Sequence, residues 1–369
     1  MAASSLTDIA IKMRQIIRYG IVAFILIIIG RFALGVAINL YSVYGPKPAP
    51  PPPTVGFNRL PEISFPDRGI ELPELHYTVE IPPSTITKYP ISIYVFFMPK
   101  KTAVLSSYDD MVKIADSFGF TSQPIQLSES LFRFIHNSLP STLEINIVTK
   151  RFSVSYNLAA DSAPLNQRPP VPEVAKSTVV KLLQGGAIYP TDLADGTSEH
   201  EFLKVEGQNL VRALSLSDAN LVRVNLFRKG VTLSKDLVIP TVTADPNRAN
   251  VWFIVSGVRG AGGIIAGEYK YTSIAIDQPE TYPIKTLQDA LNDLNTGQAY
   301  IANLGLNVDG NVTIRRAYLA YYDPDQAGEF FQPVYVFEGD GDFTAYVPAV
   351  TNDYYGAIEA SPSPVPAAE

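Results

Sequence analysis

Few residues in this chain carry recognisable chemistry. The three histidines are His76, His136 and His200. His200-Glu201 resembles the start of a zinc-protease helix, but Lys204 stands where the second histidine must be. One histidine does not supply the tetrahedral set that zinc takes, so His200 reads as a solvated loop residue. GVRGAGGIIAG (Gly257–Gly267) is rich in glycine and follows an apolar run. It lacks the Lys-Ser/Thr of a phosphate loop and the spacing of a dinucleotide fingerprint, and no helical pattern follows. The glycines therefore read as a hairpin turn leading into a strand over Ile264–Ile276. Asp323, Asp325 and Glu329 share one inter-strand loop, and Glu338, Asp340 and Asp342 share the next. Neighbouring hairpin loops could gather such oxygens around Ca²⁺, although no EF-hand spacing is present and turns use Asp-Gly in any case. No Gly-x-Ser-x-Gly elbow occurs. The reading is of no catalytic residue, no cofactor and no committed metal site; an enzyme on a spacer is the least favoured alternative.

Composition narrows the partners. The chain has 369 residues and a net charge of −7, with 20 Tyr and 18 Phe against one Trp. Residues 1–44 carry Lys12, Arg14, Arg18 and Arg31 against Asp8, a net of +3, which leaves −10 for the remainder. An acidic body of that kind repels phosphate backbones, so nucleic acid is not expected as a partner. There is no cysteine, which excludes disulfides, thiolate metal sites and a cysteine nucleophile.

The elements that would position any site begin with YGIVAFILIIIGRFALGVAINLYSVY (Tyr19–Tyr44). Its length and apolarity predict one transmembrane helix, and the basic residues before it put the N-terminus in the cytoplasm. A cleaved signal peptide is the rival reading. Arg31 falls near mid-span, where a guanidinium is costly unless it snorkels or meets a polar group on another helix. Ala33 and Ala37 form a small-xxx-small pair beside it, so Arg31, Ala33 and Ala37 are the expected contact with a membrane partner.

PKPAPPPPT (Pro46–Thr54) reads as polyproline II, and further prolines extend a stalk over residues 45–90. Three α+β modules are expected at 91–162, 171–280 and 284–350, each a helix packed on an antiparallel sheet, with a disordered tail over 351–369. The first includes a hairpin of TLEINIV (Thr142–Val148) and RFSVSYNL (Arg151–Leu158). The second opens with a helix near Glu173–Leu183 stopped by Gly185-Gly186. The third starts at a capping box, Thr286-Leu287-Gln288-Asp289.

In that last module, a helix carrying Ala290 and Leu294 is followed by AYLAYYDP, QPVYVF and AYVPAV. This pattern resembles the α/β modules of YycI/YycH-type extracytoplasmic regulators and PepSY-like domains. The resemblance covers residues 284–350, and the Pro-rich stalk and the Val347-Pro348-Ala349 ending depart from it. It implies a single-pass membrane protein of the bacterial cell envelope whose extracytoplasmic part modulates a membrane sensor kinase by contact. The expected function is binding or regulation of another membrane or envelope protein; a tethered structural scaffold is the alternative.

Overall fold

The computed structural model describes residues 13–14, 18–20, 24, 26–36, 52–67, 69, 72–83, 89–104, 107–234, 237–326 and 328–357. The chain divides into two units, Met1–Pro51 and Pro52–Glu369.

In the first unit, residues 18–20, 24 and 26–36 are helical. Among the described residues no helix is long and apolar enough to cross a membrane, which overturns the transmembrane helix expected at 19–44. Arg31 and Ala33 are exposed on this helix, and Ala37 lies outside the described residues.

The second unit is built of strands, as its Val, Ile, Thr and aromatic content favours. In chain order, β1 (His76–Val79) and β2 (Ser92–Phe97) precede a helix at Ser107–Ser117. Then come β3 (Ile125–Gln126), β4 (Leu131–Ile135), β5 (Ser141–Asn146) and β6 (Phe152–Tyr156). A helix at Pro172–Gly185 and a short one at Thr191–Ala194 lead to β7 (Ser198–Glu206), β8 (Asn209–Arg212) and β9 (Leu221–Leu226). Next are β10 (Val231–Ser234), β11 (Leu237–Ile239), β12 (Thr241–Val242), β13 (Val251–Val255), β14 (Ile264–Tyr269) and β15 (Glu280–Pro283). A last helix, Leu287–Asn295, precedes β16 (Tyr300–Asn303), β17 (Asn311–Tyr322), β18 (Phe330–Phe331), β19 (Pro333–Gly339) and β20 (Phe343–Pro348).

Nine strands form one antiparallel sheet in the order β3-β4-β5-β6-β14-β13-β9-β7-β8. Alternation along β5 and β6 sends Leu143, Ile145, Phe152 and Val154 to one face. There they meet Met111, Ile114 and Ala115 of one helix and Ala175, Val179 and Leu183 of the next. The second of these helices opens with Pro172 in its first turn, where a missing N–H costs nothing. The 3-10 turn Gly260–Gly263 joins β13 to β14, as the glycine-rich run predicts.

A second sheet runs β1-β17-β19-β20-β16. Its core packs Ala290 and Leu294 of the last helix on Val312, Ile314, Phe337, Ala345 and Val347. The helix carries the expected cap: the Thr286 side chain accepts from the Asp289 N–H, and Asp289 answers the Thr286 N–H.

The picture of repeated modules on a stalk is therefore corrected on three points. The first two modules share a single sheet, because β6 pairs with β14, Ser155 lying opposite Ala266 and Phe152 opposite Tyr269. The last sheet is not purely antiparallel: β1 pairs in parallel with residues 311–314 of β17, and β12 in parallel with residues 321–322. Twelve-residue β17 outruns its partner β19, and strands from the supposed stalk and second module fill its other edge. Finally, residues 52–67 run along the body instead of away from it. The Val55 N–H donates to the Thr281 carbonyl at 3.0 Å, and Leu60 is fully buried against Val95, Tyr282 and Val350. At the C-terminal end, Leu60 bridges in parallel to Tyr355, and residues 358–369 lie outside the described residues.

Candidate functional site

The structure disperses the residues whose chemistry the sequence singles out. His76 lies on β1. The Nδ1 of His136 accepts the N–H groups of Ser138 and Leu139, which makes it the pin of a turn. His200 is on strand β7, not in a loop, with its ring centroid 5.1 Å from that of Phe202. The loop carboxylates also part company. Glu329 pairs with Lys100, Asp340 with Arg315 at 2.6 Å, and Glu338 with Arg316 at 2.9 Å. Among the described residues no group of three or more His, Asp or Glu is placed to hold a metal ion.

Asp323 enters instead a buried ionic cluster that sequence reasoning missed. Arg228, at 3% exposure, follows β9. Its Nη1 donates to Asp192 at 2.5 Å, and its Nε and Nη2 donate to Asp323 at 3.4 and 3.3 Å. Nη2 also reaches the Thr272 carbonyl at 2.6 Å, and the guanidinium lies 4.5 Å from the centroid of the Tyr271 ring. The Tyr271 hydroxyl donates to Asp192 in turn. Burial opposes the charge of Arg228, but Asp323 and Asp192 outweigh it and raise its pKa. Burial pushes the Asp323 carboxyl above the usual carboxylate range. Asp325, two residues on, lies 4.0 Å from Lys270, while its carbonyl accepts from Arg151 at 2.8 Å. Each nitrogen of the Arg228 guanidinium donates, and the cluster ties the nine-stranded sheet to the end of β17. Arg228, Asp192 and Asp323 are far apart in sequence and share no motif, so no local signal marks them.

A cleft of about 930 Å³ opens in the second unit. Three stretches far apart in sequence wall it: Arg59–Phe65, Lys285 with Gln298–Tyr300, and Asn352–Ala357. Arg59 fixes one wall by donating to the carbonyls of Gly356, Asp353 and Ala357 at 2.6, 2.9 and 3.1 Å. The Tyr355 hydroxyl accepts the Ile63 N–H at 2.8 Å, and burial pushes that phenol up to about 12. Phe65 and Tyr300 stack at 4.6 Å with planes 4° apart. Lys285, only 8% exposed, pairs with Asp293 at 2.7 Å and lies 6.0 Å from the Tyr355 ring centroid. Both charge signs, aromatic faces and backbone groups line the cleft, and among the described residues that line it there is no Ser, Thr, Cys or His. These are the means of recognition, by hydrogen bonds, ion pairs and stacking.

No family model matches this chain, and no curated protein matches it. Among solved structures it is similar to an uncharacterised protein from Eubacterium rectale ATCC 33656. That likeness has 13% sequence identity and a TM-score of 0.38, and it covers 79% of this chain and 91% of the other.

Proposed function

We propose that this is a binding protein of the cell envelope, attached to a membrane by its N-terminal apolar segment, whose β-rich unit meets a protein partner through the cleft. The cleft carries this reading. It is wide, has both charges on its rim, and is built from segments that the fold holds rigidly through Arg59 and the buried Leu60. Support for membrane attachment comes from the first unit. Phe24, Leu26, Ile27, Ile28, Ile29, Phe32 and Leu34 are all more than half exposed, and an apolar surface of that kind calls for cover. Arg14 and Arg18 precede it, as basic residues do at an anionic membrane face. The resemblance to YycI/YycH-type regulators would make the partner a membrane sensor kinase.

Photo-crosslinking in membranes tests the cleft. A crosslinker at Gln298, Asn352 or Asp353, all exposed on the rim, should give the same single adduct. One at Glu173, exposed on the helix that covers the nine-stranded sheet, should not. Equal labelling from Glu173, or a different adduct from each rim position, removes the cleft as the contact surface.

A further inference from the structure

A second cavity, of about 200 Å³, shares Glu62 and Ile63 with the cleft but has a different chemistry. Glu62, Tyr322, Pro324, Glu329, Phe330 and Gln332 line it, and no Lys, Arg or His is among its lining residues. Glu62 is exposed and has no ion-pair partner among the described residues. Glu329 is paired with Lys100, whose side chain is 67% exposed and lies outside the lining.

Gln332 supplies an independent observation. It is 3% exposed, and its Nε2 donates to the Pro61 carbonyl at 3.0 Å. That bond fixes which end of the amide is which, because a flipped amide would set oxygen against oxygen. Its Oε1 then has no donor among the described residues. A buried amide oxygen without a donor is unfavourable, and a ligand N–H removes that penalty. The cavity thus offers a buried acceptor, two carboxylates and the rings of Tyr322 and Phe330. Carboxylates, a carbonyl oxygen and aromatic rings together recognise an organic cation.

We propose that this cavity binds one alkylammonium or guanidinium group, with Glu62 and Glu329 opposing its charge and Gln332 accepting an N–H. Its volume lies below the range of about 300–1,000 Å³ that larger ligands occupy. The ligand is therefore a small amine or the head of a lysine or arginine side chain. The net charge of −10 beyond residue 44 draws cations towards it. Cation binding here is independent of any partner at the cleft.

The test is NMR on the ¹⁵N-labelled full chain at constant ionic strength, titrated with n-butylammonium and, separately, n-butanol and butyrate. n-Butylammonium should give saturable shifts at the Gln332 side-chain amide and the Phe330 N–H, and neither control should. Glu62→Gln, an exposed change that leaves the core intact, should weaken binding about fivefold, the scale of one exposed ion pair. Gln332→Met, of similar length, should weaken it as well. A blocked lysine that binds as tightly as n-butylammonium assigns the cation to a partner's side chain; binding of the free amine alone assigns it to a small molecule. Either result upholds the site. Saturation by n-butanol as tight as by n-butylammonium, no saturable shift with n-butylammonium, or full affinity in Glu62→Gln overturns it.

Discussion

At the scale of single residues, Arg228 is the side chain whose loss should cost most. Arg228→Met strands Asp323 and Asp192 without their counter-charge, and breaking a buried pair from one side costs about 3–5 kcal/mol. Urea unfolding should show that loss, and adding Asp323→Asn should return part of it by removing one stranded charge. A smaller test concerns Asp289. Its hydrogen bonds with the Thr286 hydroxyl and N–H hold its carboxyl below the usual carboxylate range. A depressed folded pKa means stability that is present above the unfolded value, about 3.9, and is lost as pH falls through the folded one. The gap in thermal stability between the native chain and Asp289→Ala should therefore be full at neutral pH and narrow progressively below about pH 4. Asp289 also shows what a sequence reveals at this scale. Its partners lie within three residues, so the capping box is legible; Arg228, the counter-charge of Asp323, lies 95 positions away, so the role of Asp323 is not.

At the scale of elements, local pattern reached as far as local contact does. The hairpin β5–β6 alternates visibly and turns at Lys150, which sits at a φ of 60°. The helix at Pro172–Gly185 has its proline start and its glycine stop within the same stretch. The run 52–67 defeats such reading, because its prolines are compatible with a free stalk and with a strap laid on a surface alike. Leu60 distinguishes the two. On a stalk Leu60→Ala would be neutral; buried beneath Tyr355, it should cost about 2–5 kcal/mol in denaturant unfolding. Close packing between strands gives another test at this scale. A methyl group on Gly267 would come within 2.2 Å of the Phe253 ring, so Gly267→Ala should destabilise the chain by about 1–3 kcal/mol.

For the whole molecule, the sheets tie distant parts of the chain together, and this is why three modules in sequence are not three modules in space. A fragment of residues 284–350 lacks β1, β12 and the Leu60 strap, so it should give no dispersed NMR spectrum, whereas residues 52–357 should unfold in one cooperative transition. The pairing of β1 with β17 and of Leu60 with Tyr355 also sets a timetable for synthesis. Leu60 leaves the ribosome long before Tyr355 exists. At about 5–20 residues per second the interval is roughly 15–60 s. Through most of it the strap waits for Thr281 and β1 for Asn311, and the nine-stranded sheet can close first, since its last strand ends at Tyr269. The nascent chain is therefore held half-finished, with Leu60 and β1 uncovered and available to chaperones, until β17 and then Tyr355 emerge to pair with them.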